Sequence, residues 1–381
     1  MVSKAVKFLS PSATISLLTR ENELRAQGKK IISFSLGEPD FITPKKVLES
    51  ACNEMFDGKT HYTPSPGIPE LREKIANKYK IENNVEASAK NVIVTPTKFA
   101  IYISYLALLD KGDEILIPDP GWVSYVEMAH LVGARPVYYK LDESNGFQIN
   151  EEEMKNKINK KTKVILINTP SNPTGSVLNM KSFKILRDLA IDNDIYIISD
   201  EIYEKLIFEG KHISIASLEG MFQRTVTVNG FSKSHAMTGL RAGYLIADQN
   251  LIKYMDNIQQ HTLTCSPTFS QYAALKALED SEDTVKMVEE FKERRNIIYS
   301  GLSKMSIFSV IRPNATFYIF PRFNYKGNNS MEMANFLLEE LNISVVPGIS
   351  FGHSGENHLR FSYSTSKENI MEGLERLQKL I

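Results

Sequence analysis

Residues 164–203 read VILINTPSNPTGSVLNMKSFKILRDLAIDNDIYIISDEIY. Two apolar runs, 164–167 and 195–198, enclose a segment whose apolar positions from Phe183 to Ala190 recur at helical spacing. A short apolar run, an amphipathic helix and a second short run form the pattern of two parallel strands joined by a crossover helix. Strands covered by helices on both faces read as unbroken apolar runs rather than alternating ones. Working outward, runs of the same kind occur at 92–94, 114–117 and 136–139 before this unit, and at 225–228 and 242–246 after it. The expectation is an α/β fold: a large domain over 46–294 built on a mostly parallel seven-stranded sheet. The charged stretch 280–305 reads as a helix leading out of that domain. Strand-like segments at 315–320, 344–346 and 359–362 surround a helical pattern at 331–341. With the amino-terminal segment 1–45, residues 295–381 therefore predict a smaller α+β domain.

Composition narrows the function. In 381 residues, 45 basic and 45 acidic side chains cancel, which removes the positive field that binding to nucleic acid or an anionic membrane requires. Small-molecule chemistry is the better expectation. The two cysteines, Cys52 and Cys265, are far apart and lack ligand spacing, as do the seven scattered histidines, so neither a disulfide framework nor a metal site is expected. No secretory leader or membrane-length apolar run is present, which fits a cytoplasmic chain.

In an open α/β sheet, ligands bind beyond the carboxyl ends of the strands. Three such ends are chemically loaded. The run 164–167 leads to Asn168 and Asn172, 195–198 to Asp200 and Tyr203, and 225–228 to Ser232 and Lys233. An amide, a carboxylate, a phenol and an amine would share one crevice. Each alone has an ordinary reading as a turn, a helix cap or a solvated side chain; their joint placement is the signal.

The segments Ser-Asn172-Pro-Thr-Gly, Ser-Asp200-Glu-Ile-Tyr203 and Ser232-Lys233-Ser-His-Ala-Met-Thr-Gly-Leu-Arg241-Ala-Gly-Tyr resemble the signatures of class I and II aminotransferases. The similarity extends from residues 11–14 through Gly37-Glu-Pro-Asp40 and the stretch 62–72 to Arg360. The resemblance implies the type I fold of pyridoxal-phosphate enzymes, as in the prokaryotic branch of aspartate aminotransferase, with pyridoxal 5'-phosphate as cofactor. It implies that Lys233 holds the cofactor as an imine and, once displaced by substrate, moves the α-proton. Asp200 would keep the pyridine nitrogen protonated, with Asn172 and Tyr203 at the ring's phenolic oxygen and Trp122 stacked on the ring.

For the phosphate, the resemblance implies Ser232, Arg241 and the start of the helix after 92–94, at Thr97 and Lys98. Pro96, where the family carries small or glycine-like residues, brings no N–H. Tyr62 is expected to arrive from a second subunit, which implies a homodimer. Arg360 corresponds to the arginine that grips the substrate's α-carboxylate, with Gly37, Trp122 and Asn172 bordering it.

Mammalian-type aspartate aminotransferases bind the side-chain carboxylate with an arginine near the stretch that here runs 260–267, and no arginine occurs there. In the prokaryotic branch a lysine matching Lys98 does this, beside a residue matching Ser12 or Thr14. The resemblance therefore favours amino transfer between aspartate and 2-oxoglutarate by a ping-pong pyridoxal/pyridoxamine phosphate mechanism. The alternatives are an aromatic or broad-specificity aminotransferase and a pyridoxal-phosphate carbon-sulfur lyase. Ala315 and Thr316 depart from residues common in relatives and are expected to reshape the pocket mouth, and Leu240 replaces a frequent tryptophan; both changes are expected to shift or broaden the substrate range.

Overall fold

A computed structural model describes residue 9, residues 13–279 and residues 282–380. Its centre is a seven-stranded sheet of β1 (Val92–Val94), β2 (Glu114–Asp119), β3 (Arg135–Lys140), β4 (Thr162–Asn168), β5 (Tyr196–Asp200), β6 (Thr225–Gly230) and β7 (Gly243–Ile246), in the order β1-β7-β6-β5-β4-β2-β3. All neighbours are parallel except β7, which runs antiparallel to both β1 and β6. The crossover helices include α1 (Thr97–Leu108), α2 (Ser124–Leu131) and α3 (Met180–Asp192).

Strand β4 shows why the apolar runs are unbroken. Val164 and Leu166 pack with α1 in one core, whereas Ile165 and Ile167 pack with Phe183 and Leu186 of α3 in another. Successive side chains of a strand face opposite sides, so a sheet sandwiched between helices needs both sets to be apolar. Asn179 starts α3 by accepting a hydrogen bond from the Ser182 N–H. Register then sets the site: Asn168 lies beside Asp200, and Asp200 beside Val228, at the carboxyl ends of β4, β5 and β6.

A third core gathers Phe291 and Ile298 of the long helix α4 (Glu282–Leu302) with Phe317, Leu359, Phe361 and Tyr203. Here Leu359–Ser362 is a strand as expected, whereas the other two expected strands are not continuous. Within 315–320 only Tyr318–Ile319 forms a strand and Ala315 makes a single antiparallel bridge to Ile207, because the N–H groups of Asn314 and Ala315 bond the Gly175 carbonyl and that of Thr316 bonds Leu206. The expected strand 344–346 is two strands in different sheets. Ile343–Ser344 runs parallel to Ile32–Ser33, and Val346–Pro347 runs antiparallel to Leu359–Ser362. Residues 280 and 281, where the helix was expected to begin, lie outside the described residues. Among the described residues, no helix is long and apolar enough to cross a membrane.

Candidate active site

A cavity of about 480 Å³ opens at the carboxyl ends of β4, β5 and β6, within the range of small-molecule sites. Its walls bring together Gly37, Thr97, Lys98, Trp122, Asn172, Asp200, Tyr203, Ser232, Lys233, Arg241 and Arg360, whereas predicted Tyr62 is not among them. Tyr62 is 85% exposed on its own chain and lies outside the cavity.

Asn168, the last residue of β4, organises two of these groups. Its amide donates to the Asp200 carbonyl at 3.0 Å, and its oxygen accepts from the Asn172 N–H at 2.8 Å. The buried Asp200 carboxylate accepts from the Tyr125 hydroxyl at 2.7 Å and from the Ile202 N–H at 3.2 Å. Burial pushes its pKa up to about 6, against the opposing pull of those two bonds and of Lys233. The Lys233 amine donates to the Gly37 carbonyl. Enclosure brings its pKa down to about 8, opposed by Glu38 and reinforced by Arg360. An amine so placed is a usable nucleophile and base near neutral pH.

Among the described residues, the buried cation Arg360 has no carboxylate partner. Nη2 donates to the Ser35 carbonyl at 2.6 Å, Nη1 lies 3.4 Å from the Asn172 side-chain oxygen, and Nε has no partner. Its guanidinium lies 4.5 Å from the Tyr318 ring and 5.2 Å from the Phe351 ring, and burial lowers its pKa. The Tyr318 hydroxyl lies 3.0 Å from that of Tyr203. A buried guanidinium with an unused N–H is a receptor for an anionic group.

At another part of the cavity α1 begins directly after β1, with Pro96 before its first turn. The N–H groups of Thr97, Lys98 and Phe99 have no intrahelical acceptor, as at any helix start. The Thr97 hydroxyl donates to the Asn229 carbonyl at 3.3 Å. This close approach depends on two glycines: a Cβ on Gly230 or Gly243 would come within 2.6 or 2.4 Å of the Thr97 oxygen. Ser232 lines the same region, and Arg241 is exposed there with a left-handed backbone (φ 56°) and a 2.6 Å bond to the Thr238 carbonyl. The Lys98 amine sits 4.8 Å from the Trp122 ring centre. Burial, and then the charge of Arg241, lower its pKa.

Sequence reasoning missed Tyr125, Tyr318 and Phe351. Tyr125 sits on α2 three positions after Trp122, in edge contact with it at 5.2 Å; that spacing was the available signal. Ala315 and Thr316 are fully buried and, contrary to expectation, do not line the cavity; Leu240 does not line it either. Ser12 lies outside the described residues, as does the Thr14 side chain. Among the described residues, Glu201, Glu204 and His212 form one group with metal-ligand spacing. Lys78 and Asn83 already bond Glu204, and Ser199, Ser214 and His212 already bond Glu201, so their oxygens are committed within the protein.

The family model for aminotransferase class I and II matches residues 29–377. The chain belongs to the class I and II aminotransferases. It is 43% identical to an aspartate aminotransferase of Pyrococcus abyssi, covering 100% of this chain and 98% of that one. It is 41% identical to an aromatic-amino-acid aminotransferase of Thermococcus litoralis, over 93% of each chain. A solved structure of aspartate aminotransferase from Thermus thermophilus with maleate superposes with a TM-score of 0.95 at 36% identity, each chain covered fully. The fold is the type I pyridoxal-phosphate fold, and pyridoxal phosphate is the cofactor of these aminotransferases. The donor set fits it. A buried carboxylate suits a protonated ring nitrogen, a pKa-lowered amine suits the aldehyde, and a helix start with Ser232 and Arg241 suits a phosphate.

Proposed function

We propose that this aminotransferase moves the α-amino group of L-aspartate to 2-oxoglutarate by a ping-pong mechanism. The carrying observation is that one cavity holds Arg360, a buried cation with an unused Nε–H and, among the described residues, no carboxylate partner, together with a second cation, Lys98. A dicarboxylate needs two such receptors. When bound, pyridoxal phosphate supplies an electron sink for the bonds of the substrate's α-carbon.

In this reading Lys233 anchors the cofactor covalently and, once released, carries the α-proton as a base and returns it as an acid. Asp200, fixed by Tyr125, holds the proton on the ring nitrogen. Asn172 and Tyr203 donate to the ring's phenolic oxygen, and Trp122 covers the ring face. Thr97, Ser232, Arg241 and the first N–H groups of α1 take the phosphate, with Tyr62 supplied by the second subunit of a homodimer. Arg360 orients the α-carboxylate beside Gly37, and Lys98 takes the side-chain carboxylate. The chain divides into a cofactor domain over 46–294 and a smaller domain of 1–45 and 295–381, which the substrate bridges between Lys233 and Arg360. The reading places the protein in the cytoplasm.

The visible spectrum of the loaded protein tests this. Aspartate should convert the cofactor to its amine form, and 2-oxoglutarate should restore the original band. A second reading, an aromatic aminotransferase, has support from the aromatic walls Trp122, Tyr318 and Phe351 and from the Thermococcus relative. Conversion by phenylalanine but not by aspartate would select it. Pyruvate and ammonia released without a keto-acid partner would select the lyase.

A further inference from the structure

Strand β2 ends in Asp119, a buried carboxylate three residues before Trp122. It accepts three contacts from one residue of a distant segment: the Ser354 N–H at 3.0 and 3.1 Å and the Ser354 hydroxyl at 3.1 Å. The segment is shaped for this approach. Gly352 has φ 121°, and a Cβ there would lie 2.1 Å from an Asp119 oxygen, so only glycine admits the carboxylate. A second tie lies alongside, where the Gly121 N–H donates to the Phe351 carbonyl at 2.8 Å.

The segment is also closed on itself. The Gly348 N–H donates to the His358 carbonyl at 2.9 Å, and the backbones of Gly348 and Gly355 pack so closely that a Cβ on Gly348 would come within 1.9 Å of the Gly355 oxygen. It therefore behaves as a stiff loop whose base leads in two residues to Arg360 and whose Phe351 ring borders the Arg360 guanidinium.

We propose that Asp119 is a positioning residue that clamps the loop 348–358 against the Trp122 turn, and so sets the gap between the Trp122 ring and the Arg360 guanidinium. This rests on the reading of Arg360 as the α-carboxylate receptor and Trp122 as the ring cover. The gap is the slot that an amino acid must span while its α-carbon stays over the cofactor. A charge-assisted set of three contacts is a strong tie, and displacement of a gripping group by about 1 Å is enough to cost up to about 100-fold in reactivity. Asp119 does not line the cavity and acts through Phe351, Arg360 and Trp122.

The test uses Asp119→Ala and Ser354→Ala in the full-length protein. Asp119→Ala should raise KM for the amino donor and for the keto-acid acceptor together, by about tenfold. Its kcat should fall less, and the affinity of the apoprotein for pyridoxal phosphate should fall by a clearly smaller factor than KM rises, because Lys233, Asp200, Ser232 and Arg241 hold the cofactor apart from the clamp. Binding of the non-reacting dicarboxylate succinate should weaken by the same factor as KM. Trp122 is the only tryptophan, so the fluorescence of the apoprotein reports on the clamp without catalysis. Its emission should shift to longer wavelength, and acrylamide should quench it more readily.

Ser354→Ala removes only the hydroxyl contact and should act in the same direction with a smaller effect. In the Asp119→Ala background it should add nothing. If Asp119→Ala does not fold, Ser354→Ala decides alone. Normal KM and emission in the folded variants would overturn the proposal, as would equal losses of cofactor affinity and KM, which mark general loosening. Arg360→Ala separates the levels. If it leaves KM unchanged, the site reading itself falls; if it raises KM while Asp119→Ala does not, only the clamp falls.

Discussion

Asp200 and Glu201 are neighbours in sequence, both buried acids, and they meet opposite treatment. Glu201 accepts from Ser199 and Ser214 and pairs with His212, while nearby Glu204 is bonded by Lys78 and Asn83. Burial pushes the Glu204 pKa up, but Lys78 and His212 outweigh it and hold the carboxyl down at about 2. Among the described residues, Asp200 accepts only from Tyr125 and one backbone N–H, and its pKa rises to about 6. Arg360 and Lys233 beside it bond only neutral oxygens. In one cluster the protein completes its own ion pairs; in the other it leaves charges short of partners. A buried charge with unfilled capacity is costly alone, and it marks where a ligand supplies what the chain withholds.

This contrast can be broken or sharpened in steps of decreasing effect on turnover. Lys233→Ala should lower turnover by about 10⁴-fold or more, read by single-turnover absorbance with aspartate; full activity would end the assignment. Arg360→Ala should raise KM for aspartate and 2-oxoglutarate by about 100-fold, the scale of truncating a buried charge partner, read in steady-state kinetics.

Lys98→Ala should raise KM for aspartate about tenfold more than for alanine or phenylalanine, the scale of one hydrogen bond to a charged group. Equal effects on all three donors would remove Lys98 from specificity. The Lys233 pKa gives a pH test: the neutral amine is the reactive form, so cofactor uptake by the apoprotein should quicken as pH rises through about 8.

Glu204→Gln should leave turnover unchanged and destabilise the fold by about 3 kcal/mol, because it removes the buried carboxylate paired with Lys78 and leaves that amine only Asn83 and the more distant, half-exposed Glu82; chemical denaturation measures this. The folded-state pKa of Glu204 is depressed. Its contribution to stability is therefore present in full above the ordinary carboxylate range and lost as pH falls through about 2. A comparable loss of turnover in this variant would erase the distinction between the two clusters.

Much of this was legible in the sequence. Strand β1 was read to the residue, and the strands of the βαβ unit were displaced by at most a few positions, because strands buried on both faces leave a continuous apolar signature. The strand-end rule and the family motifs gathered Asn172, Asp200, Lys233 and Arg360 into one crevice. What stayed hidden depends on contacts distant in sequence. The spacing from Trp122 places Tyr125 near the site, but it does not name Asp200, 75 positions away, as its partner. The antiparallel course of β7 is invisible because an apolar run does not encode direction. The expected strand 315–320 shrank because its backbone bonds Gly175 and Leu206 instead. His212 looked isolated until the fold set it beside Glu201 and Glu204.

Tyr62 stands 85% exposed at the surface of its own chain, outside the cavity that Lys233, Asp200, Arg241 and the other predicted cofactor contacts line. If a second subunit brings it to the phosphate, occupancy of the site becomes linked to association by mass action. Dilution should then loosen the cofactor, and saturating cofactor should hold the subunits together at concentrations where the empty chains part. The chain's most exposed predicted site residue would thus make catalysis a property of protein concentration as well as of sequence.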